Sequence, residues 1–269
     1  MSFNFTFVTC IYDIGFKGFD FYKTSFYNFI DLNPSFYYYI YTDQPDRFEK
    51  RDNVKIVYQK IKELPHYNFV QIGKEFLTEE NKVNRTGLNG YLEINYSKIS
   101  WLKESVGIYK YWIDAGLFCN DLFLKKYLNK SVDIEKLKIN SNHLIFFQKQ
   151  NKHRYLHGLD SRKLIEKALF KEDYLHTIGG FFGGREDDVE NFINSFEQNM
   201  KQFVANMQFS TSECVLTSVC SNRYFKFNSF YFDQWYHEET RLYPKDTNSP
   251  MEVNESSFCD VFAENFLKL

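Results

Sequence analysis

The stretch Tyr111-Trp112-Ile113-Asp114-Ala115-Gly116 decides how this chain is read. Aromatic and branched apolar residues run into one carboxylate, and a small residue and a glycine follow. The run from Tyr109 to Ile113 is apolar enough for a buried strand, and Asp114 marks its carboxyl end. In open α/β sheets, ligands collect outside the carboxyl ends of parallel strands.

Working outward, Ile99, Leu102 and Val106 suggest a helix over about 96–107 that feeds this strand. Residues 60–90 mix charge, Gly and Asn and are expected to hold a mobile insertion. Further back, 5–11, 36–41 and 54–58 read as strands. Phe19, Tyr22, Phe26, Phe29 and Ile30 make a helical stripe within 16–32, stopped by Asn33-Pro34. The order β-α-β-β favours an α/β sandwich with parallel strands. Beyond Asp114, 143–147 reads as a strand. Four glycines in 178–184 argue against a helix there. Val189, Phe192, Ile193, Phe196, Met200, Phe203, Val204 and Met207 give the best helical stripe in the chain, with Glu186, Asp187 and Asp188 in its first turn. A further helix is expected at 212–221. Short aromatic strands and a polar tail are expected over 222–269.

The 269 residues carry 33 Lys+Arg against 35 Asp+Glu, a net charge of −2, so no overall basic field favours nucleic acid as a partner. A single domain is expected, because no repeat and no low-complexity linker divides the chain. Thirty Phe and twenty Tyr rise together with Asn, Lys and Ile, which reads as codon bias rather than an aromatic binding surface. Five cysteines without a CxxC pair suggest neither a disulfide framework nor a zinc knuckle. With no transmembrane run and no basic leader in the opening "MSFNFTFVTCIY", a cytoplasmic protein is expected, peripheral to a membrane where an acceptor is made there.

Three polar clusters fall at strand ends: Thr9 to Asp13, Thr42-Asp43, and Asp114-Ala115-Gly116. Their loops are expected to converge on one crevice. Hydroxyl and carboxylate groups there suit a base and ribose, and Asp114 offers a hard oxygen ligand for a divalent ion on a diphosphate.

Six segments, "FVTCIYDIG" (7–15), "YIYTD" (39–43), "SKISWLKES" (97–105), "YWIDAG" (111–116), "IGGFFGG" (178–184) and "TSECVLTSV" (211–219), occur in one order. Together they resemble GT-A nucleotide-sugar glycosyltransferases, most closely the bacterial HtrL/YibB-type family. The resemblance implies a GT-A-like, Rossmann-like α/β/α sandwich with a mostly parallel central sheet. It implies sugar transfer from a nucleotide-diphosphate donor, a UDP-sugar by preference, to a glycan, lipid-linked or glycoprotein hydroxyl. The strand-end clusters make Thr9, Tyr12 and Asp43 the expected nucleotide contacts, and the resemblance adds Lys98. Gly180, where glycine admits close backbone approach, is expected to form a sugar-facing platform with Phe181, and His176 to line the acceptor side. Asp114 is the expected ligand for Mn²⁺ or Mg²⁺, and Glu213 the expected base for an inverting transfer. Two departures stand out. Gly116 replaces the second aspartate of an Asp-x-Asp loop, leaving His237 as a further candidate ligand, and Ser212 stands where an aspartate is usual beside Glu213.

Plainer readings compete. Asp114 could cap the following helix. Ser210-x-x-Glu213 fits a capping box. The glycines of 178–184 could be bulges, Asp43 could end a turn before Pro45, and Lys98 could be a solvated helix charge. Two other functions also stay open: a sugar nucleotidyltransferase, and a GT-A-like module that binds a glycan or partner without turnover, which Gly116 favours.

Overall fold

The computed structural model describes residues 4–14, 18–76, 90–119, 126–127, 129–149, 176–205, 209, 227–232 and 258–269. Among them run seven strands and six α-helices. In chain order they are β1 (Phe5–Cys10), α1 (Phe19–Leu32), β2 (Tyr37–Thr42), β3 (Val54–Tyr58), α2 (Tyr67–Lys74), α3 (Tyr91–Glu104), β4 (Tyr109–Ile113), α4 (Ile134–Asn140), β5 (Leu144–Lys149), β6 (His176–Arg185), α5 (Glu186–Ala205), β7 (Phe227–Phe232) and α6 (Phe258–Phe266).

The strands form one sheet in the order β3-β2-β1-β4-β6-β5-β7. All neighbours are parallel except at β6, which is antiparallel to both β4 and β5. The expected mostly parallel α/β sheet is therefore present. The chain winds outward from β1 to β3, then returns to place β4 on the other side of β1. Between β1 and β4 the winding reverses, and in open α/β sheets ligands bind at the carboxyl edge of such a switch point.

Side-chain alternation divides the core into two layers. Phe7, Tyr38, Tyr111, Phe147 and Phe181 face α1, α4 and α6. Val8, Tyr41, Trp112, Phe146 and Phe182 face α2, α3 and α5. The result is an α/β/α sandwich.

Helix α3 starts earlier than the apolar spacing suggests, at Tyr91 behind Gly90 with φ +86°, and ends at Glu104. Every residue from Leu92 to Leu102 is buried, because the sheet lies on one side of the helix and α2 and α5 on the other. A helix covered all round shows no amphipathic stripe, so its polar residues gave a false impression of a solvated face.

Part of the segment read as an insertion is packed structure. Tyr67–Lys74 forms α2, and Gly73 lies so near Phe209 that a Cβ would meet its ring at 2.1 Å. Residues 77–89 and 212–221 lie outside the described residues. The polar tail also needs correction at its end. Phe258, Phe262 and Phe266 recur every four residues, and α6 docks them on Phe147 and Phe181. Lys136 Nζ donates to the carbonyls of Glu264 and Leu267, at 2.8 and 3.0 Å, satisfying acceptors at the helix end.

The glycine-rich strand β6 has a packing reason. Gly183 has φ +149°, and a Cβ there would lie 2.1 Å from the Lys110 carbonyl oxygen. Only glycine lets β6 approach β4 so closely. Among the described residues, no helix is long and apolar enough to cross a membrane.

Candidate functional site at the sheet's carboxyl edge

In the register of β1 and β4, Val8 stands level with Trp112. Two residues further on, Cys10 and Asp114 therefore leave the sheet side by side, on the α3 face. The Asp114 backbone N–H donates to the Gly180 carbonyl at 2.8 Å, and its own carbonyl accepts from Leu117 N–H at 2.9 Å. These bonds fix where the aspartate emerges. Among the hydrogen bonds of the described residues, its carboxylate makes no helix-capping bond. Oδ1 accepts from Trp112 Nε1 at 2.8 Å and lies 3.0 Å from Lys98 Nζ, with Oδ2 at 3.3 Å from the same ammonium.

Lys98 comes from the buried helix α3, with its side chain 7% exposed against 34% for Asp114. Its ammonium also stands 5.7 Å over the Trp112 ring. The solvated-charge reading of Lys98 therefore fails. The same pair reaches Cys10. Burial pushes the Cys10 thiol well above its ordinary range, with Lys98 pulling down and Asp114 pushing up.

One strand further out, Tyr12 and Asp43 form the second half of the edge. The Tyr12 hydroxyl donates to the Gln59 carbonyl at 3.0 Å, and Gln59 N–H donates to the Thr42 carbonyl at 2.9 Å. Burial raises the Tyr12 phenol, and the neighbouring Cys10 and Asp43 add to the effect. Asp43 Oδ1 is a buried atom with no hydrogen-bond partner. A carboxylate oxygen in that state is costly unless something else satisfies it.

Beneath these groups lies an aromatic stack. Trp101 packs on Tyr41 at 4.8 Å, on Trp112 at 5.9 Å and on Tyr12 at 6.3 Å, all within 20° of parallel. The Trp101 indole N–H donates to Gln59 Oε1 at 2.8 Å. The floor of the edge is thus rigid and held by its own hydrogen bonds.

Of the residues expected from sequence, Tyr12, Asp43, Lys98, Asp114 and the Gly180 backbone meet at this edge. Thr9 is near in sequence but on the other face. It shares the α1 side with Phe7, fully buried, and its Oγ1 has no partner. Phe181 is a correction. It is 1% exposed and lies among the rings of Tyr111, Phe147, Phe262 and Phe266, so it is a core residue and not a sugar-facing platform. Alternation explains this, since Phe181 pairs with Ile113 and faces α6. His176 opens β6, whose reversed direction puts that end at the carboxyl edge, paired with Lys149. The His176 side chain, Glu213 and His237 lie outside the described residues.

Sequence reasoning passed over Gln59, Trp101 and Trp112. A period of two gave a signal for Trp112, which shares its face with Asp114. Gln59 is the first residue beyond β3.

Among the described residues, the donor set does not fit a protein-held divalent ion. Asp114 is the one carboxylate that the described residues place beside Lys98, and both of its oxygens face the ammonium. A Cβ at Gly116 would point to Tyr22 of α1, 3.5 Å from its ring, and not to the side of Lys98. Among the described residues, no three His, Cys, Asp or Glu side chains cluster as metal ligands. Neither protein-family models nor curated proteins match this chain.

Proposed function

We propose that the protein is a GT-A-like glycosyltransferase, moving a sugar from a nucleotide-diphosphate donor, preferably a UDP-sugar, to an acceptor hydroxyl. The observation that carries this reading is the carboxyl edge itself. At the switch point of a largely parallel sheet it holds a fixed Lys98–Asp114 pair and, two strands away, a buried carboxylate oxygen of Asp43 with no partner. Two inter-strand spacings are about 10 Å, a span that a nucleoside diphosphate bridges. Asp43 and Tyr12 then take the nucleoside, and the β4 end takes the diphosphate and sugar. The order of the six motifs supports the same reading.

In the transfer, the acceptor oxygen bonds to the anomeric carbon while the bond from that carbon to the diphosphate oxygen breaks. The acceptor proton passes to a general base, assigned by the resemblance to Glu213, and inversion follows from a single displacement. The acceptor is a glycan, lipid-linked or glycoprotein hydroxyl.

A panel of nucleotide sugars, read by thermal stabilisation and by nucleotide release, tests the proposal. One nucleotide family should raise the Tm, and Asp43→Ala should remove the shift. Stabilisation without release in the presence of acceptors would favour the binding module. No stabilisation by any nucleotide, with an intact fold, would sink both the transferase and the nucleotidyltransferase readings.

A further inference from the structure

We infer that the donor is bound without a divalent ion, and that the Lys98 ammonium, positioned by Asp114, meets the charge of the diphosphate. The inference rests on the glycosyltransferase reading and departs from the metal that the resemblance implies. A metal ligand must present a lone pair to the ion at about 2.0–2.6 Å. Asp114 Oδ1 instead accepts from the Trp112 indole at 2.8 Å and from Lys98 at 3.0 Å, while Oδ2 sits 3.3 Å from the same ammonium. A divalent cation on this carboxylate would lie beside a buried positive charge held by helix α3. The empty second position of the Asp-x-Asp pattern agrees, because a side chain at 116 would face Tyr22.

The ammonium has what an anion contact needs. Packing all around α3 fixes its stem, the Trp112 ring lies beneath it, and its field reaches Cys10 at the end of β1. Asp114 is therefore a positioning residue, which keeps the charge at the switch point. A preorganised cation stabilises a departing diphosphate without reorganising during the reaction.

Isothermal titration of UDP, GDP, ADP and dTDP, each in EDTA and in Mn²⁺, tests this directly. The nucleotide that binds should show Kd values within twofold in the two buffers. Lys98→Met should weaken that nucleoside diphosphate at least tenfold and leave the corresponding nucleoside unchanged, a split that general damage to the fold would not give. Lys98→Arg should recover part of the loss. Should Lys98→Met fail to fold, the EDTA arm on the unaltered protein still decides. Binding that appears only with Mn²⁺ overturns this inference and leaves the transferase reading standing. Lys98→Met binding as tightly as the unaltered protein overturns it too. No binding of any nucleoside diphosphate in either buffer overturns the transferase reading, and this inference with it.

Discussion

Two buried lysines lie by strand β4, one at each end, and both pair with a carboxylate. Lys98 meets Asp114 at the carboxyl edge, with side chains 7% and 34% exposed. Lys110 meets Glu186 at the amino edge, 2.7 Å away, with side chains 2% and 47% exposed. The chemistry of the two pairs is the same, and their surroundings are not. At the amino edge Gly183 presses β6 onto the Lys110 backbone, and Glu186 sits in the first turn of α5, where the helix dipole favours it. That pair closes a corner. At the carboxyl edge the winding reverses between β1 and β4, Trp112 adds a hydrogen bond, and Asp43 keeps an oxygen unsatisfied two strands away. A buried ion pair is thus not a site by itself. Its position relative to the winding of the sheet decides what it is for.

The largest expected effect would break the closed end. Gly183→Ala sets a Cβ 2.1 Å from a carbonyl oxygen at a positive φ, so urea unfolding should show a loss of about 3 kcal/mol or more. A loss under about 1 kcal/mol would mean that β6 can withdraw and that the amino edge is not closed.

The next effect concerns the seat of α3. His66 Nε2 lies 2.6 Å from Ser100 Oγ on that helix, and burial lowers the imidazole from its usual 6.5 to about 4. Between those values the unfolded chain takes up a proton that the folded chain refuses. Stability from this group is therefore complete above pH 6.5 and falls as pH drops toward 4, by up to about 3 kcal/mol. Chemical denaturation of the unaltered protein and His66→Gln across that range should show the excess slope only with the histidine present.

A smaller effect separates the two lysines. Methionine at either position conserves most of the packing and leaves a carboxylate that water can reach, so Lys98→Met and Lys110→Met should each change stability by about 1 kcal/mol or less. Lys110→Met should leave nucleotide affinity unaltered by titration calorimetry. Equal losses of affinity in both variants would erase the distinction between the edges. The smallest effect is at Thr9. Replacing its unpartnered hydroxyl, Thr9→Val should raise the thermal stability by less than about 1 kcal/mol and leave nucleotide binding as it was. Weakened binding would return Thr9 to the site, as the sequence suggested.

The sheet could be read from the sequence wherever its strands are continuous apolar runs. The readings 54–58 and 109–113 match β3 and β4 to the residue, and β1, β2 and α1 agree within a few. The strand ends followed from polar residues that cannot continue into a buried sheet, and this located Tyr12, Asp43 and Asp114. Other features were hidden for physical reasons. Helix α3 is buried on all sides, so no stripe marked its limits. The partner of Asp114 depends on a helix turn folding back over β4, which no local pattern encodes. Phe181 followed Gly180 in the sequence, but alternation sends its ring to the opposite face. Helix α6 did carry a signal, three phenylalanines at a spacing of four, in a segment whose polar composition concealed it.

The most direct test of the central claim is amide hydrogen exchange with and without saturating nucleoside diphosphate. Binding at the switch point predicts slowed exchange at Cys10–Tyr12, at Asp43 and at Asp114–Leu117, with Ile108–Lys110 and Gly184–Glu186 unchanged. Protection that falls on the amino edge, or on neither edge while the nucleotide is demonstrably bound, would contradict it.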